Sequence, residues 1–281
     1  MITLNNKKTF QALILILIFS FAGFLVWYFA VSPVIEASWQ QQFAVPSEAI
    51  FNGNMVTIKN VRNFRYSPTE KDQHPNYYDK TYDLSTVKAV WYISEPFNEN
   101  KLAAHTFLSF EFENGDFLAI TIEAKKKIGQ EYSTWKGIMR NYPLMYIATD
   151  ERDSVMLRAN VRQDKVYVYP VKLSKPENAE ALLTDMLVKM NKLNEEPEWY
   201  NTIWHNCTSE IAYHVNRISG DRISSYSWEY FITSEADKFA LENGLLDTKL
   251  TIEDAREKYL ITEKSLTIGD VLEYSKLIRE E

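Results

Sequence analysis

The longest uninterrupted run of apolar positions lies at the start of the chain, over residues 10–31. The run contains no charged residue, and only one glutamine, one serine and one glycine break it. At a rise of about 1.5 Å per residue, a helix of this length reaches roughly 30 Å, which is the thickness of the hydrocarbon core of a bilayer. The pattern therefore predicts one transmembrane helix over residues 10–31.

The residues that flank this helix predict its orientation. Lys7 and Lys8 precede it, and the aromatic residues 27–29 lie at its far end, where an interfacial belt is expected. The positive-inside rule then places residues 1–9 in the cytoplasm and the rest of the chain on the outer side of the inner (cytoplasmic) membrane. A cleaved signal peptide would have a shorter apolar region, of about 7–15 residues, and a small-x-small cleavage site. We therefore expect a single-pass anchor that is retained.

Alternation of apolar and polar positions predicts a set of strands after the anchor. Segments with this two-residue period lie at residues 55–64, 87–94, 144–148 and 166–173. A hairpin is predicted over residues 106–113 and 116–124, because the Asn114-Gly115 pair between them is the strongest two-residue turn signal. Both hairpin strands carry apolar residues on both faces, which favours a central position in the sheet.

The hairpin turn also determines which residues are expected to face each other. A two-residue turn pairs Glu123 with Thr106, which puts the side chains of Glu123 and His105 on opposite faces of the sheet. A bulge or a shift of register would be needed to bring the two together. His105 stands at the mouth of the hairpin, where a strand end can present a catalytic group.

Apolar positions at helical spacing predict helices over residues 135–140, 181–193, 207–219, 228–239 and 251–259. Residues 66–83 are rich in turn formers and predict a long loop, residues 150–153 predict a solvated charged turn, and a charged tail follows the last helix. The overall pattern is that of an α+β fold, with an antiparallel sheet and helices packed at its ends. After the anchor we expect a polar connector over residues 32–54 and one exported catalytic domain over residues 55–281.

Cys207 is the only cysteine in the chain, so no disulfide within the chain accounts for it. Apolar residues recur at helical spacing after it, Gly220 offers a helix stop, and Thr208 and Ser209 suit the cap and the first turn. At a helix N-terminus, unpaired N–H groups and the helix dipole lower the thiol pKa from its free value of about 8.5. Two interpretations stay open, a nucleophile and a small buried core residue.

Three histidines are candidates for the base that a thiol nucleophile requires. His105 is far from Cys207 in sequence, but such pairs meet in space rather than in sequence. His205 lies two residues before the thiol, so its side chain is expected to point away unless a turn folds it back. His214 lies two helical turns beyond Cys207, about 10 Å along the axis, which is too far for contact. We therefore rank His105 first and His205 second.

The balance of charges excludes several classes of function. The chain has 38 acidic and 31 basic residues and a formal net charge of −7 at pH 7. This acidity argues against nucleic-acid binding and against a basic patch that grips anionic lipid. The sequence contains no metal-ligand spacing, no phosphate-binding loop and no nucleotide fingerprint, so we expect no metal and no cofactor. The oligomeric state is left open.

Several short stretches resemble the Lnb-type periplasmic domain family, some members of which are lipoprotein N-acyltransferases. The resemblance extends over residues 61–279 and is carried by Ala104-His105-Thr106-Phe107-Leu108-Ser109-Phe110, Ile122-Glu123-Ala124, Glu151-Arg152-Asp153, Tyr200-Asn201 and Asn206-Cys207-Thr208. A strand histidine followed by a cysteine at a helix start is also similar to the permuted papain-like group that includes lecithin:retinol acyltransferase. The resemblance therefore implies a permuted papain-like version of the α+β fold.

The resemblance also implies roles for four residues. Cys207 would be the acyl-accepting nucleophile and His105 its base, with Glu123 as the carboxylate that orients the imidazole. Asn206, or the backbone N–H of Cys207, would stabilise the oxyanion. The implied substrate is a membrane lipid or a lipoprotein, whose acyl chain passes through a thioester on Cys207 to an amine.

Other functions stay open at this stage. Lipoprotein-acylating members of the family carry further transmembrane helices after the soluble domain, whereas this sequence has one apolar segment at its start. Transfer of the acyl group to water, as in a thioesterase, is one alternative. A papain-like peptidase or amidase of the cell wall would use the same dyad, and a non-catalytic envelope scaffold would bury Cys207 in its core.

Overall fold

A computed structural model of the chain describes residues 6–66, 73–97, 102–220, 223–224 and 232–280. The strands are β1 (Glu48–Asn52), β2 (Met55–Arg62), β3 (Arg65–Tyr66), β4 (Gln73–His74), β5 (Tyr77–Asp83), β6 (Val87–Pro96), β7 (Ala104–Phe112), β8 (Phe117–Ala124), β9 (Leu144–Thr149) and β10 (Tyr167–Pro170). The helices are α1 (Asn6–Ala30), α2 (Gln41–Ala44), α3 (Thr134–Ile138), α4 (Glu151–Met156), α5 (Glu177–Glu195), α6 (Cys207–Ser219), α7 (Ala236–Glu242), α8 (Ile252–Tyr259), α9 (Thr262–Ile268) and α10 (Tyr274–Leu277). A π-helical segment, Leu157–Val161, continues α4.

Eight of these strands build one large sheet at the centre of the domain, and β3 and β4 pair with each other in a separate small sheet. The order of the large sheet is β1-β2-β9-β8-β7-β6-β10, and β5 also pairs with β2. Neighbouring strands of this sheet run antiparallel, except that β2 and β9 meet in parallel where Arg62 lies opposite Thr149. The α+β class, the mostly antiparallel sheet and the central position of the β7–β8 hairpin are therefore confirmed.

One face of the sheet is covered by α5 and α6. Leu108 and Ile120 of the hairpin belong to the same buried cluster as Leu183 and Met186 of α5 and Ile211 of α6. Burial of each such side chain contributes roughly 1.5–3 kcal/mol relative to exposure. This apolar layer therefore fixes where α6, which begins at the cysteine, lies on the sheet.

The opposite face carries a second, smaller core. Phe107 of β7 clusters there with Val155 of α4 and Tyr274 of α10. Arg279, just after α10, forms an ion pair with the buried carboxylate of Glu151. The expectation of a charged tail after the last predicted helix was therefore wrong, since α9 and α10 cover this face of the sheet.

The β7–β8 hairpin is closed by three residues, 113–115, rather than by the two that the Asn-Gly signal predicts. The Phe112 N–H donates to the Asp116 carbonyl at 2.9 Å, which closes the ladder around this loop. Gly115 takes a φ of 84°, the left-handed conformation that the third residue of such a loop adopts. The pairing of the two strands is consequently shifted by one residue.

The shifted register sorts side chains between the two faces. Leu108 now faces Ile120, so the large apolar residues of both strands share the face that packs on α5 and α6. A shift of the register by one residue would turn the apolar residues of one strand to the opposite face of the sheet. Extended to the end of the hairpin, the same register places Glu123 opposite His105. The expectation that these two side chains lie on opposite faces was wrong.

Two further predictions failed because tertiary partners decide the structure of short segments. Residues 77–83, expected to belong to a long loop, form β5, which pairs with β2. Residues 150–153, expected to form a solvated turn, cap and begin α4, and Glu151 and Asp153 are buried. The predicted helix over residues 228–239 lies partly outside the described residues, and its described part contains a 3-10 turn, Thr233–Glu235, and the beginning of α7.

Helix α1 contains the predicted transmembrane segment. Residues Thr9–Ala30 are long and apolar enough to cross a membrane, with a mean hydropathy of 2.5, and their most apolar stretch is not buried by the domain. No second helix of this kind occurs among the residues that the structure describes. The chain thus fits single-pass membrane anchoring, as predicted.

A buried ion pair holds α4 to the end of β2. Arg62 donates from Nε and Nη2 to the two carboxylate oxygens of Asp153 at 2.9 and 3.1 Å. The same carboxylate accepts hydrogen bonds from the Phe64 N–H at 2.8 Å and from the Tyr66 hydroxyl at 2.7 Å. Both members of the pair are almost wholly removed from solvent. Loss of one partner would therefore leave an uncompensated charge inside the protein.

We predict that Asp153→Ala lowers the free energy of unfolding by about 3–5 kcal/mol, because the Arg62 guanidinium would stay buried without its carboxylate. Urea unfolding of the detergent-solubilised chain, followed by circular dichroism, measures the change. Glu196→Ala is the control, because Glu196 pairs with Lys192 on the exposed end of α5 and such pairs contribute little. Equal unfolding midpoints for the two variants would contradict the role assigned to the buried pair.

Candidate active site

Helix α6 begins at Cys207, and its neighbours explain why. Asn206 is the N-cap, and its side-chain Oδ1 accepts a hydrogen bond from the Ser209 N–H at 3.0 Å. The Ser209 hydroxyl accepts in turn from the Asn206 N–H at 2.9 Å, which completes a capping box. The predicted location of Cys207 at the start of a helix is confirmed, although the cap is Asn206 rather than Thr208 or Ser209.

The start of α6 is fixed against strand β7. The hydroxyls of Thr106 and Thr208 share a hydrogen bond of 3.1 Å, and the Cys207 Sγ lies 3.9 Å from the Ala104 carbonyl oxygen. Because Cys207 is the first residue of the helix, these contacts bring its thiol to the end of β7. His105 lies on that same strand end.

His105 occupies the middle of a row of three ionisable residues on neighbouring strands. The pairing of β6 with β7 places Glu95 opposite His105, and the shifted hairpin register places Glu123 of β8 on its other side. The His105 Nε2 lies 3.3 Å from the Glu123 Oε1. The structure thus brings His105 and Glu123 together.

Arg158 bridges the two carboxylates that flank His105. Its Nε donates to Glu95 Oε2 at 2.7 Å, and its Nη2 donates to Glu123 Oε1 at 3.2 Å. Arg158 belongs to the π-helical segment, a distortion that is frequent at functional sites. Its positive charge lies between two carboxylates that are largely removed from solvent, and it helps to lower the pKa of Glu123.

The charges around His105 favour its protonated form. Burial by itself lowers the pKa of the imidazole, but the Glu123 carboxylate outweighs burial and raises that pKa to about 9. Burial raises the pKa of Glu123, but the positive charges of His105 and Arg158 hold it well below its usual range. At neutral pH the pair is therefore an imidazolium beside a carboxylate.

The imidazole of His105 also lowers the pKa of the Cys207 thiol. Burial raises the pKa of Cys207, but hydrogen bonding and Coulomb attraction from His105, with hydrogen bonds from Thr106, more than offset it and leave the thiol pKa below its ordinary value. The dipole of α6 acts in the same direction. Cys207 is therefore prepared to lose its proton, and the thiolate is the nucleophilic form of a cysteine.

Cys207, His105 and Glu123 line one cavity of about 360 Å³ that is partly open to solvent. Apolar side chains and cations share the rest of its wall, which includes Phe43, Leu102, Ile122, Leu157, Arg62 and Arg158. No group of three His, Cys, Asp or Glu side chains in the described part of the chain is arranged to hold a metal ion. The arrangement suits nucleophilic attack on an acyl group, with apolar side chains available to a hydrocarbon chain.

The residues expected to stabilise an oxyanion also lie at this cavity. Asn206 lines it, but its Oδ1 accepts the capping hydrogen bond and its Nδ2 donates to the Thr202 carbonyl at 2.8 Å. The N–H of Cys207 belongs to the first turn of α6, where the helix itself offers no carbonyl partner. Of the two expected donors, the backbone N–H is therefore the better placed.

His205 and His214 lie in a separate polar cluster. The His205 Nε2 lies 3.0 Å from the Glu210 carboxylate and 3.3 Å from that of Glu198. Burial lowers the pKa of His205, but hydrogen bonds to these two carboxylates raise it to about 10. His214 is buried, with its Nδ1 at 2.7 Å from Asp185. Neither histidine lines the cavity that contains the thiol.

Sequence reasoning missed the two arginines in the cavity wall. Arg158 acts on Glu123 directly, and Arg62 holds the buried Asp153 of α4. Neither arginine belongs to a recognisable motif, and only the packing of α4 and the π-helical segment over the strand ends brings Arg158 to its partners. The one available signal is indirect, since carboxylates buried at strand ends, such as Glu95 and Glu123, require cations nearby.

A comparison with protein-family models matches the Lnb N-terminal periplasmic domain to residues 73–234, which is more than half of the chain. The matched range contains His105, Glu123, Arg158 and Cys207. Searches of curated proteins and of solved structures found no match. The family resemblance noted in the sequence is thus confirmed, while the papain-like permutation stays a prediction.

We predict that Glu123→Gln lowers the pKa of His105 from about 9 toward its ordinary value of about 6.5, because the variant lacks the carboxylate that raises it. Cys207 then loses its cationic neighbour near neutral pH, so its alkylation by iodoacetamide slows several-fold. NMR titration of labelled histidines measures the first effect, and mass spectrometry of this single-cysteine chain measures the second. Glu113→Gln, in the exposed hairpin loop, is the control, and an unchanged pKa in Glu123→Gln would contradict the assignment.

The same pair predicts how stability depends on pH. Because the pKa of His105 is higher in the folded than in the unfolded chain, its stabilising effect is complete below about pH 6.5 and is lost as the pH rises through about 9. The wild type should therefore exceed Glu123→Gln in unfolding free energy most clearly near pH 6, and the difference should shrink toward pH 9. Denaturant unfolding across this range measures it. A difference that grew with rising pH would contradict an imidazolium–carboxylate pair.

Proposed function

The chain belongs to the Lnb N-terminal periplasmic domain family, and we propose that it is a membrane-anchored cysteine acyltransferase. An acyl chain would move from a phospholipid or a lipoprotein to Cys207 as a thioester, and then to an amine acceptor. His105 would be the base, with Glu123 beside it as the positioning residue. Helix α1 would hold this activity at the periplasmic side of the inner membrane.

The observation that carries the proposal is the common cavity of Cys207, His105 and Glu123. A core cysteine of a scaffold protein requires no imidazole beside it and no open space in front of it. Here the thiol has both, and its pKa is lowered in spite of its burial. A perturbed nucleophile next to a base in a cleft supports catalysis over a packing role.

The first step would form the thioester. The Cys207 thiolate attacks the carbonyl carbon of an ester, and the resulting oxyanion accepts a hydrogen bond from the N–H at the start of α6. Collapse of the tetrahedral intermediate breaks the C–O bond of the ester, and the His105 imidazolium gives its proton to the departing alkoxide. The products are an acylated Cys207, a free alcohol and a neutral imidazole.

The second step would transfer the acyl group. An amine attacks the thioester carbonyl, and the neutral imidazole of His105 takes the proton from the attacking nitrogen. The C–S bond then breaks, which returns the Cys207 thiolate beside an imidazolium. Glu123 makes His105 a stronger base in this step, and Arg158 keeps Glu123 ionised. The site therefore ends the reaction as it began, with a Cys207 thiolate and a His105 imidazolium.

The composition of the cavity wall supports an acyl ester as the substrate. Phe43, Leu102 and Leu157 offer apolar contact for a hydrocarbon chain. A lipid ester fits such a wall, since its acyl chain is apolar. The volume of about 360 Å³ is within the range of small-molecule sites.

We predict that Cys207→Ser lowers acyl transfer by roughly 10³-fold or more while the protein still folds, because a serine hydroxyl beside the same imidazole is not ionised. The assay reconstitutes the full chain in phospholipid vesicles with a diacyl lipopeptide and detects the N-acylated peptide by mass spectrometry. In the wild type, the intact mass should also reveal an acyl adduct on Cys207 that hydroxylamine removes.

Matched histidine variants and a second substrate complete the test. His105→Gln should reduce transfer as strongly as the cysteine variant, whereas His74→Gln, exposed on β4, should leave it unchanged. Release of free fatty acid without N-acylation would indicate a hydrolase. Cleavage of peptidoglycan in a parallel incubation would indicate a peptidase or amidase. Full activity in Cys207→Ser would end the cysteine mechanism.

A further inference from the structure

The end of the membrane helix is bound directly to two loops of the domain. The Tyr28 hydroxyl, in the last turn of α1, donates to the Ile138 carbonyl at 2.9 Å and accepts a hydrogen bond from the Asn201 Nδ2 at 3.1 Å. Just after the helix, the Val31 carbonyl accepts a hydrogen bond from the Trp199 indole N–H at 2.7 Å. The domain is therefore held to the anchor through residues 132–142 and 199–206.

Arg140 strengthens this attachment. Its guanidinium donates a hydrogen bond to the Tyr28 carbonyl and lies over two aromatic rings at the end of α1, 4.1 Å from the centroid of Tyr28 and 4.9 Å from that of Phe29. A cation over an aromatic face is attracted by the negative charge of the ring face. Contacts from several directions fix these loops where α1 leaves the membrane.

The segments that hold the anchor, and the turn shortly before the first of them, expose large apolar side chains. Ile128, Trp135 and Trp204 are 71%, 66% and 60% exposed. A hydrogen bond joins the two segments close to these tryptophans. The hydroxyl of Thr202, two residues before Trp204, donates to the carbonyl of Thr134, which directly precedes Trp135, at 3.0 Å. Indole side chains that combine an apolar body with a polar N–H are the usual occupants of a membrane interface.

The charge of this region differs from that of the whole chain. Residues 125–142 contain four lysines and one arginine but only one carboxylate, Glu131, whereas the chain as a whole has a net charge of −7. Lys127 and Lys136, which adjoin Ile128 and Trp135, are exposed. A local excess of cations next to a membrane helix is attracted by anionic lipid headgroups.

The same loops form part of the cavity wall. Tyr132, Thr134 and Thr202 line the cavity that contains Cys207, and the hydroxyls of Tyr132 and Thr202 lie 3.1 Å apart. The cavity wall and the anchor attachment are therefore built from the same two segments. The surface that these two segments contact therefore determines which substrates can reach the Cys207 thiol.

We propose that Ile128, Trp135 and Trp204, with the flanking Lys127 and Lys136, form a membrane-seating surface that rests in the headgroup layer of an anionic bilayer. The continuity with α1 selects the bilayer over a protein partner, because the surface starts where the transmembrane helix ends. Seated in this way, the cavity presents its Tyr132–Thr202 wall to the lipid, so a lipid ester reaches the site without crossing water. The seating depends on the anchor and not on acyl transfer.

Site-directed spin labelling tests the seating surface, because the chain has a single native cysteine. On a Cys207→Ser background of the full chain, Trp135→Cys and Trp204→Cys each receive a nitroxide, and Leu272→Cys, 91% exposed on the C-terminal segment, is the control. In phosphatidylglycerol–phosphatidylcholine vesicles, oxygen should relax the labels at positions 135 and 204 several-fold more than a water-soluble nickel chelate does. The label at position 272 should show the reverse.

The outcomes separate this proposal from the proposed function. Labels at 135 and 204 that respond to the nickel chelate as strongly as the label at 272 would overturn the seating surface. In vesicles of phosphatidylcholine alone, the preference for oxygen at 135 and 204 should weaken, and the charge reversals Lys127→Glu and Lys136→Glu should weaken it in anionic vesicles. No dependence on lipid charge would overturn the role of the lysines. Because Cys207 is absent throughout, none of these results depends on catalysis.

Discussion

Two carboxylates, Glu95 and Glu123, flank one histidine on neighbouring strands, and the site depends on the arginine that joins them. Arg158 contacts both carboxylates, at 2.7 and 3.2 Å. Burial by itself raises the pKa of Glu123, and the positive charges of His105 and Arg158 lower it. The ionised Glu123 raises the pKa of His105, and the imidazolium in turn lowers the pKa of Cys207. Arg158 therefore supports the charge pattern of the site without needing to touch the substrate, because it adds to the effect of His105 on Glu123.

The second constraint is the position of the site relative to the membrane. One of the contacts that hold the end of α1, from the Asn201 amide to the Tyr28 hydroxyl, lies in the loop that leads into α6. That loop ends at the Asn206 cap, so the anchor and the nucleophile are separated by a few well-fixed residues. Such an arrangement suits a substrate that stays in the bilayer, because the thiol does not have to be delivered by a flexible connection.

The sequence by itself determined the features that depend on local patterns. The apolar, uncharged run of α1, the alternation of the hairpin strands and the helix that starts at Cys207 each follow from spacing within one segment. Candidate residues could also be found in this way, because a lone cysteine at a helix start and a histidine at a strand end, His105, are local features. The α+β class follows from the same patterns, since it requires only the types of the elements and not their contacts.

Only the tertiary structure decided how these features meet. The Asn114-Gly115 pair signals a turn whether two or three residues close it, and the packing of the apolar face on α5 and α6 selects the register that brings Glu123 to His105. The burial of Asp153 and the role of Arg158 likewise have no local signal. A charged residue can be buried only where a partner distant in sequence compensates it, so its fate is decided by the fold and not by its neighbours in the chain.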